Sequence, residues 1–180
     1  LEATDAEWMG GVVKTWGDAR GMGYMRKLAE MKPDMRKGHV VGAEALIRWN
    51  NPELGSVPPS RFIPLAEESG LIIPLGAWVL RETCRQVMRW QAGGFDLPQV
   101  SVNLSVKQLE RPDFVDMLLQ ILNETGIEPS RLKLEITESV LTDAEAAKQW
   151  IDACKALGVR IALDDFGTGY SNLFYLRMLH

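Results

Sequence analysis

Four groups of polar side chains interrupt stretches that otherwise have the composition of buried strands. Glu44 and Arg48 lie within Val40–Trp49, and Asn103 follows Val100-Ser101-Val102. Glu135 and Glu138 lie between Leu132 and Ser139, and Asp164-Asp165 follow Ile161-Ala162-Leu163. Carboxylates gathered at one place repel one another, and such a cluster persists only if cations neutralise it or some of its members are protonated. Oxygen donors without Cys or His favour a hard cation, Mg²⁺ or Mn²⁺ with Ca²⁺ as a further candidate, over zinc. Two adjacent aspartates can each face a different ion, which is the geometry of a two-metal phosphoester hydrolase. Glu44 by itself is also compatible with an edge residue or an ion-pair partner, and Asn103 with a turn at a strand end. Asp164-Asp165 carry more weight because Phe166-Gly167-Thr168-Gly169 follow them. Gly167 and Gly169 allow positive φ and the close approach of a phosphate. The run lacks the Gly-Lys-Ser/Thr ending of a Walker loop and the second spacing of a dinucleotide fingerprint. Arg48 stands four residues after Glu44, on the same face of a regular strand, where it suits a phosphate or an ordinary ion pair.

These groups need elements that bring them together. Val40–Trp49, Val100–Ser105, Leu132–Thr137 and Val159–Phe166 read as strands. They are nearly continuous in Val, Ile and Leu ahead of their polar ends, which suits parallel strands covered on both faces. Helices are expected between them. Phe114, Met117, Leu118, Ile121 and Leu122 follow helical spacing, with Gly126 as the stop. Thr142-Asp-Ala-Glu145 is a capping box ahead of a stripe formed by Ala147, Trp150, Ile151, Cys154 and Leu157. A longer helix is expected from about Leu75 to Gln91, and a short one from Pro58-Pro59-Ser60 to Gly70. Strand–helix alternation predicts a parallel α/β fold, whose ligands bind at the carboxyl ends of the strands. Trp78, Trp90 and Trp150 fall on helix faces as core residues, and Cys84 and Cys154 are expected to be buried free thiols.

Composition narrows the class. The chain has 180 residues, a net charge of −4, 46% hydrophobic and 24% charged residues, two Cys and two His. A disulfide scaffold, a multi-Cys zinc site and an HExxH pair are excluded. The mild acidity argues against a duplex nucleic-acid surface. The uncharged run Leu71–Leu80 is too short for a bilayer, and a reducing cytoplasmic setting is expected for the site. Residues 1–39 differ from the rest: they are rich in Gly and Met and hold 7 basic and 6 acidic residues. They are expected to be linker-like or a divergent first strand, with a short helix over Tyr24–Met31 stopped by Pro33.

Glu44-Ala-Leu46, followed by Ile47-Arg48-Trp49, resembles the signature of EAL-domain cyclic-di-GMP phosphodiesterases. Further matches follow in order: Pro58-Pro-Ser-Arg-Phe-Ile63, Ala66-Glu67, Gly70, Asn103-Leu-Ser105, Leu134-Glu-Ile-Thr-Glu-Ser139 and Asp164-Asp-Phe-Gly-Thr-Gly-Tyr-Ser171. The triplet alone carries no weight, but the ordered set is specific. The resemblance implies a modified TIM barrel, represented in residues 40–180 by its N-terminal part. It implies hydrolysis of cyclic-di-GMP to linear pGpG with two Mg²⁺ or Mn²⁺ ions. Glu44, Asn103, Glu135, Asp164 and Asp165 then look like metal ligands. Glu138 looks like the glutamate that steadies the loop Phe166–Ser171, and it joins Glu44, Asp164 and Asp165 as a catalytic residue. Leu46 and Arg48 look like contacts to base and phosphate. The resemblance also implies an EAL homodimer as an assembly state, with sensory or GGDEF domains in a longer parent that could be membrane-anchored. Two departures stand out. The family's Tyr-Gln-Pro-like opening motif is replaced here by Leu28–Gly38, and the later strands bearing a Lys, an Asp and a Glu would follow His180. The expectation is a chain that is marginally stable and weak or inactive in hydrolysis by itself. The alternative is a non-catalytic cyclic-di-GMP-binding or scaffolding module.

Overall fold

The computed structural model describes residues 13–17, 24–34, 39–137 and 144–164. Among these, seven strands form one sheet: β1 (Val13–Gly17), β2 (Tyr24–Asp34), β3 (His39–Asn51), β4 (Gly55–Val57), β5 (Val100–Asn103), β6 (Leu132–Thr137) and β7 (Arg160–Asp164). The helices are α1 (Pro59–Glu68), α2 (Ile72–Ala92), α3 (Val106–Leu109), α4 (Phe114–Thr125) and α5 (Ala144–Ala156). The strand order is β1-β2-β3-β5-β6-β7, with β4 beside β3. The strands β3, β5, β6 and β7 run parallel, joined by helical crossovers, whereas β1, β2 and β4 pair antiparallel.

The parallel strands alternate rather than being apolar on both faces as expected. One face carries Ala43, Ala45, Val100, Val102, Leu132, Leu134 and Ile136, all within the main core, with Ile47, Ile161 and Leu163 packed against it. Helix α2 adds Leu80, Cys84 and Val87 to that core, α4 adds Leu118 and Ile121, and α5 adds Ile151 and Cys154. Each such fully buried aliphatic side chain contributes about 1.5–3 kcal/mol. The opposite face falls on the intervening positions: Glu44, Leu46 and Arg48 on β3, Ser101 and Asn103 on β5, Lys133, Glu135 and Thr137 on β6, and Arg160, Ala162 and Asp164 on β7. Apolar outer and polar inner positions suit a sheet that curls with its helices outside, as in a barrel.

Several expectations match closely. Strand β6 spans the expected residues, and α4 ends at Gly126, whose φ of 69° is the left-handed cap. Helix α2 starts at Ile72, ahead of the expected Leu75, because Pro74 falls in its first turn, where a missing N–H costs nothing. The helix expected over Tyr24–Met31 is instead strand β2, paired along β3 from Tyr24↔Asn50 to Asp34↔His39. A long ladder outweighs a weak local helix preference. Pro33 sits at the register shift in that ladder, where its missing donor is tolerated. The capping box at Thr142 starts outside the described residues.

Candidate active site

The polar face ends in a row of oxygen donors. Glu44 is level with Ser101, and Asn103 stands two residues further along β5. Asn103 is level with Glu135, and Asp164 is level with Thr137, two residues beyond Glu135. From Glu44 to Asp164 the donors therefore climb four residues across three strand pairings. In a flat sheet that climb would separate them by about 13 Å along the strands. Strands in an eight-stranded barrel tilt by ~36°, with a shear of about one residue per strand, so barrel curvature accounts for about three of these four residues.

Contacts hold the donors individually. Asn103 Nδ2 donates to Glu44 Oε1 at 2.9 Å, linking β3 to β5. The ladder continues past the strand end, with Leu104 N donating to the carbonyl oxygen of Glu135 at 2.9 Å. Glu135 is only 7% exposed, and its Oε1 lies 2.6 Å from Lys133 Nζ. Asp164 is exposed at the end of β7. Arg48 is half-buried, and its Nη1 donates to the carbonyl oxygen of Ile47 at 3.1 Å. A half-open cavity of about 580 Å³ adjoins the row, lined among others by Leu46, Arg48, Glu67, Asn103, Ser105 and Thr137.

The structure thus places Glu44, Asn103, Glu135, Asp164, Arg48 and Leu46 on one face of four adjacent strands, with the first pair in direct contact. Asp165, Glu138 and the Phe166–Ser171 loop lie outside the described residues. The donors fit hard divalent cations in kind, since all are oxygen. Among the described residues, no three Asp, Glu, His or Cys side chains close on one point.

Two participants carried no role in the sequence reading. Lys133 holds Glu135, and the signal for it was available: it stands two residues earlier in the same strand, hence on the same face. Glu67 was visible only as part of a motif. In the fold, Ser105 Oγ donates to Glu67 Oε1 at 2.5 Å and Lys107 Nζ donates to the carbonyl oxygen of Glu67 at 2.9 Å. Ser105 N in turn donates to Gln108 Oε1 at 3.1 Å, closing a capping box around α3.

A sheet whose parallel strands carry helices on one face and oxygen donors on the other is the architecture of part of an α/β barrel. The chain belongs to the EAL domain family, whose model matches residues 32–180. It is 46% identical over 143 residues to the bifunctional diguanylate cyclase/cyclic di-GMP phosphodiesterase MucR of Pseudomonas aeruginosa, covering 79% of this chain and 21% of that protein. It is 45% identical over 141 residues to the cyclic di-GMP phosphodiesterase PdeR of Escherichia coli, covering 78% of this chain and 21% of that protein. The chain therefore spans about a fifth of the length of these relatives. The solved c-di-GMP complex of the PaMucR phosphodiesterase superposes with a TM-score of 0.81 at 43% identity, over 86% of this chain and 63% of that one.

Proposed function

We propose that this chain forms part of a metal-dependent cyclic-di-GMP phosphodiesterase, which hydrolyses one phosphodiester to give linear pGpG. The observation that carries the reading is the climbing row of Glu44, Asn103, Glu135 and Asp164 beside a cavity that holds Arg48. In this reading those four residues, with Asp165, hold two ions, Mg²⁺ or Mn²⁺. The ions would polarise the phosphoryl group and make a water acidic enough to attack at neutral pH. The protein's share is positional. The Arg48 guanidinium orients a phosphate, Leu46 packs against a base, and Glu138 steadies the loop that follows Asp165. The names of MucR and PdeR support the substrate, and the name of MucR supports linkage to a diguanylate cyclase domain in a longer parent.

The test is incubation of the longer parent protein that contains this chain with cyclic-di-GMP and Mn²⁺ or Mg²⁺, with chromatography of the products and calorimetry in parallel. Metal-dependent appearance of pGpG supports the phosphodiesterase reading. Tight binding without cleavage marks a binding or scaffolding module instead. Absence of both removes the cyclic-di-GMP reading.

A further inference from the structure

We propose that Lys133 is an internal counterion of the site: in the metal-free protein its ammonium neutralises Glu135, and a divalent cation must displace it to use that carboxylate. The inference rests on the metal reading above and extends it to a residue with no role in that reading.

The geometry is specific. Lys133 and Glu135 are two apart in the regular strand β6, so both project from the polar face, and their charged atoms lie 2.6 Å apart. Glu135 is nearly buried, and a buried carboxylate is costly unless it is paired. Lys133 is itself mostly covered, and its neighbours at the same height are Ser101 on β5, 2% exposed, and Arg160 on β7. An ammonium is a point charge on a flexible stem and can leave a carboxylate by rotating its own torsions, without backbone movement. When a divalent ion takes Glu135, Lys133 becomes a like charge beside it. Loss of the ammonium therefore removes both a competitor and a repulsion.

The experiment compares wild type, Lys133→Met, Lys133→Gln and Lys133→Arg in the purified chain. Mn²⁺ affinity is read by electron paramagnetic resonance, and thermal midpoints are read with and without Mn²⁺. Lys133→Met keeps the stem and removes the charge. It is expected to tighten Mn²⁺ binding about tenfold, to lower the metal-free midpoint and to enlarge the rise that Mn²⁺ produces. Lys133→Arg is expected to stay near wild type. If Lys133→Met does not fold, Lys133→Gln carries the same expectation. Unchanged or weaker Mn²⁺ affinity in a folded uncharged variant, with wild type still binding, overturns the counterion role and leaves the metal reading standing. No Mn²⁺ binding by folded wild type overturns both.

Discussion

Ser105 Oγ donates to Glu67 Oε1 across 2.5 Å, tying the loop that follows β5 to the last turn of α1. Asn103 stands two residues before that hydroxyl, so the bond restrains the strand end that presents Asn103 to Glu44. Hydrogen bonds to a charged acceptor contribute about 1.5–3 kcal/mol, less where partly solvated. Ser105→Ala and Glu67→Leu are expected to destabilise by about 1–2 kcal/mol and to weaken Mn²⁺ binding severalfold. Glu67→Gln keeps an acceptor and should recover most of both. Urea midpoints and Mn²⁺ titration check this, and equal Mn²⁺ affinity in all three variants would remove the positioning role.

Gly76 is where α2 makes room for the same loop. A Cβ there would lie 1.8 Å from Gln108 Nε2, and Gln108 is 4% exposed. Gly76→Ala must therefore push out the side chain that accepts from Ser105 N. Overpacking of this kind costs about 1–3 kcal/mol, offset by about 1 kcal/mol because Ala is the better residue inside a helix. A urea midpoint above wild type would contradict the contact.

Asp164→Asn removes charge while keeping volume at an exposed strand end. Stability should change by no more than about 0.5 kcal/mol, while Mn²⁺ affinity falls at least tenfold if this carboxylate is a ligand. Calorimetric titration against wild type reads the difference, and unchanged affinity counts against the assignment.

Arg48→Ala should weaken cyclic-di-GMP binding by about 10- to 100-fold, the loss expected for one charge-assisted contact. Mn²⁺ affinity should not fall, since no ligand is removed. A parallel loss of Mn²⁺ binding would mean that Arg48 organises the site rather than contacting the phosphate.

Burial pushes the Cys154 thiol up to about 12 from its usual 9.0. Cys84 is buried as well. Both should resist a thiol reagent at pH 8 until urea unfolds the chain. Because the folded value is raised, the unfolded state loses its proton first as pH rises. The stability associated with Cys154 is intact below pH 9.0 and declines as pH climbs from there toward 12. A urea midpoint that holds constant over that rise in wild type, but falls in Cys154→Ala, would reverse the sign.

Local pattern carried much of the fold. Strand β6 and helix α4 matched because their apolar spacing and stop signals lie within a few residues of each other. Strand β2 did not, since its ladder depends on β3 and not on its own residues. The short α3 was hidden because its box closes through Gln108, a residue with no helical stripe around it. Within the site, the donor types were legible as polar breaks in apolar runs. The links Lys133–Glu135 and Ser105–Glu67 differ in how readable they were: the first follows from period two in one strand, whereas the second joins residues 38 apart.

By itself the sequence determined which atoms are available for chemistry: oxygen donors, an arginine, and no Cys or His set for zinc. It also showed that these residues fall in or just after apolar runs that read as strands between helices, although the alternation of faces along those strands was not read from it. Only the tertiary structure decided that Glu44, Asn103, Glu135 and Asp164 share a face and climb across it, since register is a property of pairs of strands. It also decided that Ser105 holds Glu67, because residues 38 apart meet only once the end of β5 packs beside α1.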